Sequence, residues 1–439
     1  VPYIPATDAD REEMLSLIGV KDIASLFSDV PSSKRFPELK LPQGLSEYEV
    51  LSEVEEMSAK NLSADGRAWF LGAGAYNHFI PSVVSALASR GEFLTAYTPY
   101  QPEVSQGTLQ AIFEYQSMAA ELLGMAVVNA SHYDGATALA EAVLIAFRLD
   151  ETKSTILIPQ DLHPEYKAVL ETYLSSFDAH IAEYKGAPEK APVDAKTACL
   201  VAGYPTFSGE VYPLARAASL AHEAGALFIV HADPILCAIL ESPGAQGADI
   251  VAAEGQSLGN PMNFGGPFLG MMGVTEKLMR KMPGRIVGEA RDHEGRRGFV
   301  LTLTAREQHI RREKAVSNIC SNQGLTMLQT CIYMAAMGAS GLATVAKLSR
   351  DKAHYAAAEI AKIPGVSVQN KEFFKEFLLS LPVEAQSVYD KLVKRKIVPG
   401  LPLSKYYPER TRELLVCVTE LNSRPQIDEL VKALREATK

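Results

Sequence analysis

The sequence predicts an α/β fold, with a large domain on a mainly parallel sheet followed by a smaller C-terminal α/β domain. Three observations predict it. Short apolar runs such as "TILIPQ", "TACLVAGYP" and "ALFIVHAD" alternate with stretches of helical period. Strands that are apolar at every position are covered on both faces, which is the habit of parallel sheets. Composition is ordinary for a globular chain, with 47% hydrophobic and 22% charged residues over 439 positions, enough for a sizeable core. Beyond about residue 316 the pattern changes to a long, Ala-rich helical stretch and then a few strands and helices.

Taken in order, residues 1–65 read as an N-terminal helical arm. In "TDADREEMLSLIGV", Thr7 or Asp8 caps a helix whose apolar stripe is Met14, Leu15, Leu17 and Ile18. The Pro-rich connector "SDVPSSKRFPELKLPQGLSEYEV" leads to a second helix start. The arm has too little apolar surface to stand alone and is expected to lie on the main body or on a partner. The large domain spans 66–315. Its helices are "SHYDGATALAEAVLIAFRL", "PEYKAVLETYLSSF" and "LARAASLAHEAG", the last ended by Gly225. Its strands are "TILIPQ", "AHIAEY", "TACLVAGYP", "ALFIVHAD" and "ADIVAAE". The small domain, 316–439, opens with the helix "GLTMLQTCIYMAAMGASGLATVAKLSRDKAHYAAAEIAKI" and closes with "PQIDELVKALREAT".

The bulk numbers exclude several classes. Net charge is -9, and the densest basic segment, "REQHIRREK", is mixed with glutamates and reads as a solvated helix face, so nucleic acid is not expected as a partner. The five cysteines, Cys199, Cys237, Cys320, Cys331 and Cys417, form no CxxC pair. Neither a disulfide framework nor a zinc site is expected, and a reducing cytoplasm fits. The start, "VPYIPATDADREEM", lacks the pattern of a signal peptide, and the run "GALFIVHADPILCAIL" is broken by Asp233, so no membrane span is expected.

Ligands of such sheets gather at the carboxyl ends of the strands. Asp233 closes "ALFIVHAD". It fits a plain turn cap before Pro234, the commoner role for such a residue, and also an aspartate that pairs with the ring nitrogen of pyridoxal phosphate. Such an enzyme also needs a lysine for the Schiff base. The turn in "IVAAEGQSLGNPMNFGGPFLG" carries Gln256 and Ser257, and no lysine lies between Lys196 and Lys277. A phosphate cup is expected at a helix N-terminus. The best match is "SHYDGATALAEA", with Gly135 and Thr137 at the helix start, but Asp134 in its middle caps the helix and repels an anion. Two further segments carry unusual polar density. "AYTPYQPEVSQG" packs tyrosines, prolines, amides and a glutamate into twelve residues, and cannot all be buried without partners. "FLGAGAYNHFIPSVV" places Asn77 and His78 shortly after Gly72 and Gly74; a lone histidine beside Phe79 is more often an ordinary core residue.

"GAGAYNHFIPSVV", "YTPYQPEVSQGTLQAIFEYQ", "VNASHYDGATALAEA" and "QSLGNPMNFGGPFLG" resemble the glycine decarboxylase family, the P-protein of the glycine cleavage system. Within it the chain resembles the N-terminal half, which in many bacteria is a separate first subunit. The likeness runs from "YIPATDADREEML" into "EKAVSNICSNQGL", and the last 110 or so residues match mainly in layout. The resemblance implies a type I pyridoxal phosphate transferase fold with a seven-stranded sheet. Laid against the lysine-bearing half, Gln256 falls where the lysine stands and "NFGGP" matches the Gly-rich loop after it.

The resemblance further implies an oxidoreductase subunit of glycine catabolism, inactive alone. Its partner would be the paralogous second subunit of glycine decarboxylase, whose lysine holds the pyridoxal phosphate. It implies glycine as substrate, a lipoylated H-protein as acceptor and a dimer of heterodimers, a heterotetramer, in the cytoplasm. By motif match, Tyr97, Tyr100, Gln101, Glu103 and Ser105, with Asn77 and His78, would complete the partner's active site. Asp233, Asp134, Gly135, Thr137 and Gln256 would line a vestigial cofactor pocket. On the residues alone two other readings stay open: an independent pyridoxal phosphate enzyme, which lacks its lysine here, and a non-enzymatic scaffold of the same fold.

Overall fold

A computed structural model describes residues 6–150, 152–319 and 321–439. Cys320 and the first residues of the "YIPATDADREEML" motif lie outside them. The chain forms two compact units, one up to Ser63 and one from Ala64 to Lys439.

The first unit holds helices Asp8–Ile18 and Glu47–Ser58. Thr7, not Asp8, caps the first. Its hydroxyl accepts from Asp10 N while the Asp10 carboxylate accepts from Thr7 N at 2.7 Å. Ser46 and Glu49 repeat the arrangement on the second. Each box satisfies two end donors that a bare helix leaves to water, about 1 kcal/mol per cap. Gly19, at φ 83°, ends the first helix. Leu17, Ile18, Leu51 and Val54 are exposed.

The second unit is built on the expected seven-stranded sheet. In chain order its strands are β1 (Val127–Val128), β2 (Thr155–Pro159), β3 (His180–Tyr184), β4 (Thr197–Tyr204), β5 (Leu227–Ala232), β6 (Ile250–Glu254) and β7 (Gly270–Val274). The spatial order is β1-β7-β6-β5-β4-β2-β3. Pairs from β6 to β3 are parallel; β7 runs antiparallel to both β6 and β1. The five strands expected from sequence are present. β7, "GMMGV", was not anticipated, because its glycines hide the apolar run. Alternate residues explain the continuous apolar pattern. Leu200, Phe228, Val230 and Val251 enter the core on one face, and Cys199, Val201, Ile229 and Ile250 enter the core on the other. Each such side chain contributes about 1.5–3 kcal/mol by leaving water.

The long helix Gly324–Ile360 joins two cores. Met327, Tyr333 and Met334 bury in the sheet's core, while Ala353, Ala357 and Ile360 bury under a four-stranded antiparallel sheet that contains Glu376–Ser380 and Glu413–Cys417. Gly338 breaks the helix between the two halves at φ 60°, a conformation that suits glycine. By length and composition alone this helix passes for a membrane span, which corrects the reading that no apolar run is long enough. Cys199, Cys237, Cys331 and Cys417 are buried free thiols.

Candidate functional site

The carboxyl ends of β2, β4, β5 and β6 surround a cavity of about 60 Å³ whose lining includes Tyr76, His163, Thr206, His231, Asp233 and Glu254. Asp233 makes the turn cap, and its other oxygen meets a protein cation where the cofactor reading would place a ring nitrogen. Its Oδ1 accepts from Ile235 N at 2.9 Å, a turn cap, and its Oδ2 lies 2.7 Å from a cation. The cation is the Nζ of Lys375, fully buried just before strand Glu376–Ser380. Burial pushes the Asp233 carboxyl up, but the Lys375 ammonium outweighs it and holds the group below the ordinary aspartate range.

Lys375 Nζ also lies 3.1 Å from His78 Nε2 and 3.5 Å from the centre of the Tyr76 ring. An ammonium only donates, so His78 Nε2 accepts. The proton of the neutral ring then sits on Nδ1 and is donated to Glu420, whose Oε2 is 2.7 Å away. Burial and the neighbouring Lys375 lower the His78 pKa, which keeps the ring neutral. Burial pushes Glu420 up, yet the His78 bond holds it below the usual range.

The helix start at Gly135 is also taken. Gly135 N donates to Glu254 Oε2 at 2.8 Å, while Glu254 Oε1 accepts from Gln256 N and Leu269 N. Asp134 caps the helix through Thr137 N at 2.8 Å. A carboxylate thus sits where an anion would dock on the helix N-terminus. Burial raises the Glu254 pKa to about 8 despite its three N–H donors, and Asp134 adds to the rise. The backbone approach is close: a Cβ on Gly135 would meet Tyr166 OH at 2.6 Å and Glu254 Cβ at 2.9 Å.

Gln256 is buried and saturated. Its Oε1 accepts from Tyr76 N at 2.8 Å, and its Nε2 donates to the carbonyls of Tyr76 and Asn260 at 3.0 and 2.8 Å. Pyridoxal phosphate needs an amine in this turn, an anion seat and an aspartate open to the ring nitrogen. Gln256, Glu254 and Lys375 take those three places, so the residues around this cavity do not fit the group.

The other named residues are split between this network and a separate loop. His78 faces inward, and Asn77 accepts from the Thr419 hydroxyl through its backbone oxygen at 2.8 Å. In the Tyr/Pro loop, Tyr97 is 92% exposed, and Gln101 and Glu103 are exposed. Tyr100 is half-buried, donates to Asn322 Oδ1 at 2.5 Å and stacks under the Arg285 guanidinium at 4.2 Å. Ser105 stands at the N-cap of helix Gln106–Leu123 without a side-chain cap bond. Gln106 ties the loop to Phe299 through both backbone groups of that residue. Sequence reading missed Lys375, Glu254, Glu376 and Glu420. A signal for the first existed: "FFKEFLL" sets a Lys-Glu pair inside an otherwise apolar run.

The family model for the glycine cleavage system P-protein matches residues 1–434. A probable glycine dehydrogenase (decarboxylating) subunit 1 from Moorella thermoacetica is 48% identical over 442 residues, 99% of each chain. A relative of the same name from Rhodospirillum centenum is 48% identical over 445 residues, 99% of each chain. Among solved structures, glycine decarboxylase (P-protein) of the glycine cleavage system, in inhibitor-bound form, superposes with a TM-score of 0.91 at 45% identity over 99% of both chains. A sphingosine-1-phosphate lyase from Burkholderia pseudomallei, at TM-score 0.66 and 17% identity over 93% of this chain and 94% of its own, shares the fold alone.

Proposed function

The chain belongs to the glycine cleavage system P-protein family, and we propose that within it this is the subunit that completes an active site whose cofactor is carried by a partner. The observation that carries this reading is the filled pocket: Lys375 on Asp233, Glu254 on the Gly135 helix start and a saturated Gln256. A chain whose anchoring points are satisfied by its own side chains has no use for a pyridoxal phosphate of its own, while its Tyr/Pro loop stays exposed.

The partner is a paralogous second subunit whose lysine holds pyridoxal phosphate, in a cytoplasmic dimer of heterodimers. The cofactor supplies an electron sink for the carbanion left when carbon dioxide departs. Overall, glycine loses carbon dioxide and its aminomethyl group joins one sulfur of the lipoyl disulfide of H-protein. The other sulfur leaves as a thiol, so the disulfide is reduced. This chain's share is to wall the site and position the lipoyl arm with Tyr97, Tyr100, Gln101, Glu103 and Ser105, excluding water at the reacting centre.

Borohydride trapping tests the division of labour. The chain alone, incubated with pyridoxal phosphate and reduced, is expected to keep its mass. The co-expressed complex is expected to carry one trapped cofactor on the partner and to release carbon dioxide from glycine when H-protein is added. Stoichiometric trapping on this chain, with activity in the absence of the partner, refutes the reading.

A further inference from the structure

The filled pocket contains a costly element that cofactor loss alone does not require. A buried ammonium demands acceptors, and an apolar side chain would fill the same space without that demand. Lys375 finds three acceptors: the Asp233 carboxylate at 2.7 Å, His78 Nε2 at 3.1 Å and the face of the Tyr76 ring at 3.5 Å. Asp233 directly follows β5, whereas Tyr76 and His78 belong to the irregular segment 72–79. The cation therefore joins that segment to the sheet.

The same segment is gripped at Ala73, Tyr76, Asn77, His78 and Phe79. Glu376, next to Lys375, accepts from Ala73 N and from the Tyr76 hydroxyl, both at 2.7 Å. Gln256 takes both backbone groups of Tyr76, and Thr419 bonds the Asn77 carbonyl. Glu420 accepts from Phe79 N at 2.7 Å. What emerges outward is Phe79, 55% exposed, at the foot of helix Ser82–Ala88.

Resting on the function proposed above, we propose that Lys375 is a positioning residue for the assembled enzyme. Its ammonium stands against the aspartate that would meet a pyridinium in a cofactor-bearing relative, and from there it clamps segment 72–79 in the conformation that borders the partner's site. The pocket has changed use, from holding a cofactor to holding a wall.

The test uses the full complex with H-protein and the variant pair Lys375→Met and Lys375→Met with Asp233→Asn. The double variant removes both charges at nearly constant shape, so neither is left buried alone. Assembly is followed by light scattering, partner loading by the cofactor's absorbance, and kcat and KM for glycine by carbon dioxide release. Amide hydrogen exchange is read over residues 72–79. The double variant is expected to assemble and load like wild type, to exchange at least tenfold faster in that segment, and to lose at least tenfold in kcat with KM within twofold. Wild-type kcat, or a loss confined to KM or to assembly, overturns the positioning role. Unchanged exchange overturns the clamp whatever the activity. If the wild-type complex itself releases no carbon dioxide from glycine, the proposed function fails, and the exchange result still decides the clamp.

Discussion

The segment around Asp233 and the Tyr/Pro loop around Tyr97 are both dense in polar side chains, and they treat them in opposite ways. Around Asp233, Lys375, His78, Glu420, Glu376, Glu254 and Gln256 are buried or nearly so and bonded to one another or to backbone. In the loop, Gln101, Glu103 and Tyr97 face solvent, and among the described residues the side chains of Tyr100 and Gln106 tie it down. A buried polar group without a partner is expensive, so most of the first region is paired, with His231 Nε2 left without a hydrogen-bond partner among the described residues. An exposed one costs nothing to leave open, so the second is free to serve something outside the chain. Polar density by itself did not separate the two; burial does.

Breaking the buried pair gives the largest effect. Lys375→Met alone strands the Asp233 carboxylate in the interior and is expected to destabilise the chain by about 3–5 kcal/mol. Adding Asp233→Asn is expected to return most of that loss, and denaturant unfolding of both variants measures the difference. The folded-state Asp233 pKa lies below the ordinary 3.8. Its contribution is therefore present above that value and lost as pH falls through the folded one. The second effect is steric. Gly135→Ala puts a methyl within 2.6 Å of Tyr166 OH and 2.9 Å of Glu254 Cβ. A loss of about 1–3 kcal/mol is expected from overpacking, and a lowered unfolding midpoint checks it.

Glu254 separates the regions by pH. Its folded pKa is about 8, against an ordinary 4.5. Because the folded value is the higher, its contribution to stability is fully present below about 4.5 and is lost as pH rises through about 8. Unfolding midpoints across that window are expected to fall with pH in the wild type, and the slope is expected to flatten in Glu254→Gln. An unchanged slope would show that Glu254 stays ionised in the folded chain.

Much of the seven-stranded sheet was legible because its signals are local. The apolar runs became β2 to β6, and the Asp134 cap and the Gly135 helix start lie within a few residues of each other. The pairing partners were not legible. Lys375 is 142 positions from Asp233 and Glu420 is 342 from His78, and one sequence carries no periodic signal for such contacts. Asp233 is the instructive case. Its neighbourhood in sequence admits both a turn cap and a cofactor contact, and the fold adds a further partner, a lysine just before strand Glu376–Ser380.

The smallest structural perturbation tests the comparison most sharply. Tyr97 is 92% exposed, and its side chain makes no hydrogen bond among the described residues. Replacing it by alanine is expected to shift the stability of the chain by no more than about 0.5 kcal/mol. Tyr100→Phe removes one bond to Asn322 and is expected to cost about 0.5–1.5 kcal/mol, and Glu103→Ala less. If the loop walls the partner's site, all three variants assemble normally yet lose turnover, about tenfold for each 1.4 kcal/mol of transition-state stabilisation removed. For Tyr97 that pairing of effects has one physical source. A side chain with no hydrogen bond among the described residues is expected to alter turnover through what it touches in the complex. Full turnover in Tyr97→Ala, with glycine and H-protein saturating, removes it from the site and leaves Tyr100 and Glu103 to carry the wall.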